Sequence, residues 1–275
     1  MVGYYKAYKG STQTPLIYAN SRIVKKVYKG SNLVYQIGFS PFSIGAGTSL
    51  YGWTVPPGVS KIHVDCVASK GADGSGASGG FGGRVQCDVN VTGGQILYIT
   101  VGTIPANGAT QAYNAADIRT NNSGVTNSVS LSSRIVVAGG GGCAPLSYGH
   151  SGTTGGAGGG VNGGKAPDWT SGGGYGGTQY GGGAHGVQVG GELRGGGPGS
   201  DGYFGLGGTS TGSMGCGGAG WYGGGAGFTG DYRSVGVRSS GGGGGSSYTN
   251  ANCSNVVHTQ GYQNGNGYIT ISFVE

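Results

Sequence analysis

Ile135-Val-Val-Ala-Gly-Gly-Gly-Gly142 opens, and Gly241-Gly-Gly-Gly-Gly-Ser-Ser-Tyr248 closes, the stretch whose reading decides the fold. Most of the chain's 71 glycines lie between Gly139 and Gly245. Ordering a backbone costs about 1–2 kcal/mol per residue, and glycine loses more freedom than any other residue while returning no side-chain burial. If this region is ordered, close backbone packing and hydrogen bonds of about 0.5–1.5 kcal/mol each must order it. If it is not, it is a flexible linker. Three features favour order. Apolar residues interrupt it regularly, among them Trp169, Tyr175, Val187, Leu193, Phe204, Trp221 and Phe228. Its charge is low and balanced, with Lys165, Arg194, Arg233 and Arg238 against Asp168, Glu192, Asp201 and Asp231, the opposite of the disorder signature. Strand-like sequence stands on both sides, at Ser133–Ala138 and Gly267–Val274. There is no strict Gly-X-Y period, which excludes collagen.

Working outward, charged residues make up only 9% of the 275, good helix formers are sparse, and no segment shows a sustained 3.6-residue period. An all-β chain is expected. No apolar run approaches the roughly 18–20 residues of a membrane helix, so no membrane insertion is expected. The N-terminus lacks the apolar core of a signal peptide, so the chain is expected to be made and assembled in a cytoplasm. Cys66, Cys87, Cys143, Cys216 and Cys253 are odd in number and widely spaced without CxxC, which argues against a disulfide framework and a zinc site. A Cys66–Cys87 pair on neighbouring strands stays open.

The net charge of +6 comes from Lys6, Lys9, Arg22, Lys25, Lys26 and Lys29, in a leading segment without acids. Residues 1–38 also hold a repeat, Ala7-Tyr-Lys-Gly-Ser11 and Val27-Tyr-Lys-Gly-Ser31. Ile23–Tyr28 and Leu33–Ile37 around Lys29–Asn32 read as a β-hairpin, and the first copy as a weaker one with Pro15 at its edge. Hairpins this small bury no core alone. Residues 1–38 are therefore expected to be an assembly anchor. In it Tyr8, Val27, Tyr28, Leu33 and Tyr35 supply apolar burial, and Lys6, Lys9, Lys25, Lys26 and Lys29 meet an acidic protein surface.

Residues 39–138 read as the first part of a β-sandwich. Leu50–Val55 is a strand ended by Pro56-Pro57-Gly58, and Lys61–Cys66 alternates with Ile62, Val64 and Cys66 inward. Gly82–Val91 and Gln95–Val101 are expected to form a hairpin over Thr92-Gly93-Gly94, and residues 103–127 a long surface loop. The domain division follows: an anchor at 1–38, then a domain at 39–275. Within that domain the sandwich takes 48–138 and 246–275, and the glycine region 139–245 is an insertion.

No constellation argues for an enzyme, and no catalytic residue, cofactor, metal or nucleic-acid site is expected. Gly159-x-x-x-x-Gly164-Lys165 approaches a phosphate loop, but Ala166 replaces the Ser or Thr that would hold magnesium. Gly208-Thr-Ser-Thr-Gly212 lacks the strand–turn–helix setting of a nucleophile elbow. His63, His150, His185 and His258 are scattered. The aromatics between glycine runs are better candidates. Tyr175, Tyr180, Tyr203, Phe204, Trp221, Tyr222, Phe228 and Tyr232 either contact a sugar or protein groove from loop tips or cap the glycine region and plug the sandwich.

Trp53-Thr-Val-Pro-Pro-Gly58, Lys70-Gly-Ala-Asp-Gly74, Ile96–Gly102, Ile135–Gly142, Gly241–Tyr248 and Gly267–Ile271 occur in one order. That order resembles the glycine-rich domain of the anaplastic lymphoma kinase and leukocyte tyrosine kinase receptors and of related bacterial and phage proteins, over about residues 48–274. The resemblance implies a TNF-like, jelly-roll β-sandwich whose late insertion folds into a bundle of polyglycine-II helices. The Val-Tyr-Lys-Gly-Ser module resembles the starts of virion proteins from phages of Bacteroides-like hosts. Two functions are therefore expected. One is a phage virion structural protein, a fibre or tail or head appendage that adheres to the host surface. The other is a ligand-binding ectodomain of receptor type. The first implies other virion proteins as partners through residues 1–38, a host glycan or protein as receptor, a homo-oligomer such as a trimer, and location in the virion.

Overall fold

The computed structural model describes residues 17–19, 22–24, 26–29, 31–36, 38–74, 76–146, 152–211 and 213–274. Two short antiparallel ladders come first. β1 (Ile17–Ala19) pairs with β2 (Arg22–Val24), and β3 (Lys26–Lys29) with β4 (Asn32–Gln36). The second ladder is the hairpin expected around Lys29–Asn32. The run 23–28, read as one strand, instead serves two ladders, Val24 facing Ile17 and Lys26 facing Gln36. The first repeat copy, residues 7–11, lies outside the described residues.

The next strands are β5 (Phe42–Gly45), β6 (Thr48–Thr54), β7 (Lys61–Val67), β8 (Gly82–Asn90), β9 (Ile96–Val101) and β10 (Ala116–Arg119). The short helix α1 (Ser128–Ser132) follows, started by the Asn127 side chain accepting from the Val129 and Ser130 N–H groups. Then come β11 (Arg134–Ala138), β12 (Leu193–Pro198), β13 (Phe228–Tyr232), β14 (Gly236–Ser239), β15 (Tyr248–Thr249), β16 (Cys253–Gln263) and β17 (Tyr268–Phe273).

Two five-stranded antiparallel sheets, ordered β16-β8-β7-β17-β5 and β15-β11-β10-β9-β6, share one apolar core in a sandwich-like arrangement. Ile62, Val64 and Cys66 of β7 point inward as their alternation requires, beside Val85, Cys87 and Val89 of β8 and Ile269 and Ile271 of β17. The other sheet meets them with Leu97, Ile99, Val101, Ile118 and Val136. Each such side chain, fully buried, contributes about 1.5–3 kcal/mol. Phe39, Phe42, Trp53 and Phe273 close one edge, Phe39 and Trp53 with ring centroids 5.3 Å apart.

Two sequence expectations are corrected. The strands flanking Thr92-Gly93-Gly94 are not a hairpin: β8 and β9 belong to different sheets. The turn between them is held against residues 55–60, with Val91 N–H donating to the Ser60 carbonyl at 3.0 Å and Gly94 N–H to that of Val55 at 2.8 Å. Residues 103–127 are not all surface loop, because β10 is a fully buried inner strand. Its sequence hid this by carrying Asp117 and Arg119, which satisfy each other. Arg119 Nε donates to Asp117 Oδ1 at 2.7 Å, and Tyr113 Oη to Asp117 Oδ2 at 3.0 Å. The pairing left open for Cys66 and Cys87 is not made, and both are free, buried thiols. In the β7–β8 register Cys66 faces Val85 and Cys87 faces Val64, so the two are diagonal neighbours.

The glycine region is ordered by backbone hydrogen bonds. Gly241–Gly245 runs through its middle and bonds to segments containing Gly140–Cys143, Gly156–Gly159, Gly164, Gly174–Gly177, Gly218 and Gly225. The pattern repeats every three residues. Gly242 and Gly245 donate to Cys143 and Gly140, and the carbonyls of Gly241 and Gly244 accept from Gly174 and Gly177. The carbonyls of Gly242 and Gly245 accept from Gly156 and Gly159. A separate three-stranded sheet, β12-β13-β14, lies within residues 139–245 and has no counterpart in the sequence reading. Asn114 clasps the region to the sandwich. Its buried amide donates to the carbonyls of Lys70 at 3.1 Å and Gly141 at 2.7 Å, and accepts from Ala219 N–H at 3.0 Å.

Glycine is required here by proximity. A Cβ on Gly183 would sit 1.9 Å from the Tyr175 carbonyl oxygen, and one on Gly224 would sit 2.2 Å from that of Gly243. Neither position needs a positive φ, so close approach alone makes the demand. By contrast, a Cβ on Gly195 or Gly197 of β12 meets nothing within 4 Å. Gly183→Val and Gly224→Val should each destabilise by about 3 kcal/mol or more, while Gly195→Val and Gly197→Val should stay within about 0.5 kcal/mol. Thermal melts of the four variants check this. Equal melting of all four would rule out the close-packed arrangement.

Candidate functional site

Two turns of the glycine region carry exposed tyrosines. Thr178 and Gly181 close one turn, Thr178 N–H donating to the Gly181 carbonyl at 2.9 Å, with Thr178 Oγ1 accepting from Tyr180 and Gly181 N–H. The turn leaves Tyr180 94% exposed. Tyr203 and Leu206 close a second turn by reciprocal backbone bonds, with Tyr203 52% exposed. Ser246 joins both turns to one neighbourhood. Its Oγ donates to the Thr178 carbonyl at 2.8 Å and accepts from Tyr222 N–H at 3.1 Å, and Tyr222 forms a bridge with Phe204.

Beneath the turns lies an aromatic cluster. Trp221 stacks on Tyr248 at 3.8 Å and meets Phe204 edge-on at 4.8 Å, while Phe204 meets Tyr222 at 5.3 Å. The buried Arg134 guanidinium lies 4.9 Å from the Trp221 ring centre and 5.0 Å from that of Phe204. It donates to the carbonyls of Leu131, Gly220 and Trp221, and burial lowers its pKa from the ordinary value. Tyr175, 46% exposed, lies under the Lys165 ammonium at 4.4 Å.

Of the eight aromatics singled out from sequence, Tyr175, Tyr180 and Tyr203 are exposed, and Phe204, Trp221 and Tyr222 form the half-buried cluster. Phe228 and Tyr232 leave the set of surface candidates. They are 6% and 1% exposed, on the inner face of β13, with Tyr232 Oη donating to the Thr170 carbonyl at 2.6 Å. Their alternation with Thr229 and Asp231 carried this signal, which the surrounding glycines obscured. Three partners escaped the sequence reading. Arg134 and Tyr248 are brought to the cluster only by tertiary packing, and Trp169 is exposed with Arg238 over its ring at 5.0 Å.

Of the anchor residues, Lys6, Tyr8, Lys9 and Lys25 lie outside the described residues. Lys26, Val27, Tyr28, Lys29, Leu33 and Tyr35 are carried by the β3–β4 ladder. At the phosphate-loop-like run, Lys165 is committed to Asp168, Nζ to Oδ2 at 2.6 Å, and the segment that follows is extended rather than helical. Asp88 is held below the usual carboxylate range by its hydrogen bond to His63 at 2.8 Å, with a further bond from Asn255. His185 backbone N–H and ring hold Asp201 down likewise. Burial lowers His258. Among the described residues, no group of three or more His, Cys, Asp or Glu is placed to hold a metal ion, and no helix is long and apolar enough to cross a membrane.

No protein-family model matches the chain, and no curated protein is similar to it.

Two outcomes are expected. Tyr180→Ala should leave stability within about 0.5 kcal/mol of the parent, while Tyr232→Ala should cost about 3–5 kcal/mol, read from denaturant midpoints. Because Asp88 has a depressed folded pKa, the unfolded chain binds its proton first as pH falls. The stability this gives is complete above the ordinary carboxylate value and is lost as pH drops through the folded one. Asp88→Asn should therefore flatten the acid limb of a Tm-against-pH curve, and an unchanged limb would contradict the assignment.

Proposed function

We propose that the chain is a non-enzymatic bacteriophage virion protein that displays a glycine-rich domain on a fibre or on a tail or head appendage, and that the aromatic turns contact the host surface. The observation that carries this reading is the pair of solvent-facing tyrosines on turns closed by backbone bonds, with Tyr180 94% exposed and its turn tied through Ser246 to Tyr222 of the aromatic cluster. Rigid amphipathic rings lose little entropy on binding and suit sugar faces and protein grooves.

In this reading the glycine region is a bundle of polyglycine-II helices. Support comes from the three-residue repeat of its bonds, which matches a helix of three residues per turn with no internal hydrogen bonds. The surrounding sheets are then a TNF-like sandwich, with the bundle inserted at 139–245. Residues 1–38 are the anchor to other virion proteins, with the β3–β4 ladder adding its strands to a partner. Display at a tip favours a homo-oligomer such as a trimer.

The test is an antibody raised against residues 48–274 and applied to virions of the phage that encodes the chain. Particles should be decorated on a surface appendage and lose adsorption to host cells. A Tyr180→Ala/Tyr203→Ala phage should assemble normally yet adsorb at least about tenfold less, the loss of one interface hot spot. Undecorated particles would remove the virion assignment. Decorated particles with full adsorption in the double variant would remove the contact role alone.

A further inference from the structure

The five cysteines are free thiols, four buried and Cys253 half-buried. Two of them meet inside the glycine region. Cys143 ends the run Gly139–Gly142, and Cys216 sits between Gly215 and Gly217. Cys143 N–H donates to the Cys216 carbonyl at 2.8 Å, so the two residues occupy neighbouring hydrogen-bonded segments. Hydrogen-bonded extended segments lie about 4.7–4.9 Å apart, which is compatible with the window of about 4.4–6.8 Å between Cα atoms that a disulfide needs. Both side chains enter the same small cluster with Ala72 and Ala112, which puts the sulfurs on one side of the two segments. The influence of each thiol on the other draws Cys143 below its ordinary pKa and, with burial, pushes Cys216 above it.

The other thiols are placed differently. Cys87 and Cys253 also act on each other's thiols, but Cys253 faces Val89 across β16 and β8, so the two are diagonal and share no backbone hydrogen bond. Cys66 is diagonal to Cys87 as well and donates its thiol to the Ala116 carbonyl.

We propose that Cys143 and Cys216 form a disulfide site, a covalent lock across the glycine region that closes when the chain meets a small-molecule disulfide oxidant. The Cys143 sulfur attacks one sulfur of oxidised glutathione, giving a mixed disulfide and releasing one glutathione thiolate. The Cys216 sulfur then attacks Cys143 Sγ of the mixed disulfide, forming the Cys143–Cys216 bond and releasing the second glutathione. The two cysteine protons pass to the two released glutathiones, so one dithiol is oxidised and one glutathione disulfide reduced. The crosslink joins residues 143 and 216, distant in sequence, and so restricts a long loop of the unfolded chain. It does this in a region that has almost no side-chain core of its own. The inference is independent of what the domain displays.

The experiment folds the full-length chain in glutathione buffers graded from reducing to oxidising, quenches with N-ethylmaleimide and maps the peptides by mass. A single two-electron transition is expected, in which maleimide is lost from Cys143 and Cys216 together and a crosslinked peptide joins them. The oxidised chain should melt about 5–15 °C higher. Cys216→Ala should abolish both the transition and the rise in Tm. Maleimide on all five cysteines at every ratio would overturn the proposal, as would a bridge mapped to Cys87–Cys253 or glutathione retained on Cys143. Mapping on the unaltered chain decides the matter even if the variant does not fold.

Discussion

The structure depends on backbone approaching backbone more closely than any β-carbon allows. Gly241–Gly245 is the clearest case. A Cβ on Gly243 would lie 2.0 Å from the Tyr175 carbonyl oxygen, and one on Gly244 would lie 2.0 Å from that of Ala157. Buried backbone polar groups must be paired. Among its described residues the region has no α-helix and no sheet wider than three strands, and that requirement is met by segments donating and accepting in several directions at once. Each bond is worth only about 0.5–1.5 kcal/mol net, so many must form together, and the loss of close approach at one position disturbs several neighbours.

Such a region cannot stand without a scaffold to fix its ends. β11 delivers the chain into it at Ala138, and β15 receives it again at Tyr248 on the same sheet, paired with Val137. Asn114, Ser69 and Arg134 bind its backbone to the sandwich, the Ser69 carbonyl accepting from Gly141 N–H at 3.2 Å and Arg134 donating to Gly220 and Trp221. The buried ion pair of Asp117 and Arg119 lies on the strand next to β11. A buried pair of this kind is weak evidence for stability, yet breaking it would leave an uncompensated charge costing about 3–5 kcal/mol. Polar residues in the second sheet therefore specify where the glycine region docks, while the apolar core holds the two sheets together.

The same rigidity gives the aromatic turns their chemical character. Tyr180 and Tyr203 sit on turns closed by their own backbone bonds. Side chains on turns closed this way have little backbone ordering left to do.

The sequence by itself determined the all-β class, the order of the glycine region, the inward set of β7 and the hairpin at Lys26–Gln36. These follow from local rules: two-residue alternation, turn glycines, and balanced charge with regular apolar interruptions. It also marked Tyr180 and Tyr203, but only among eight aromatics between glycine runs, and did not say which of the eight would be exposed. Only the tertiary structure decided the rest. A buried strand at Ala116–Arg119 looks like loop until Asp117 finds Arg119. β8 and β9 look like a hairpin until the chain between them is seen to cross from one sheet to the other. Phe228 and Tyr232 look like loop tips until β12 and β14 flank them. The three-residue pattern of bonds around Gly241–Gly245 is written nowhere in a run of identical residues, because glycine carries no side chain to say which neighbour it will meet.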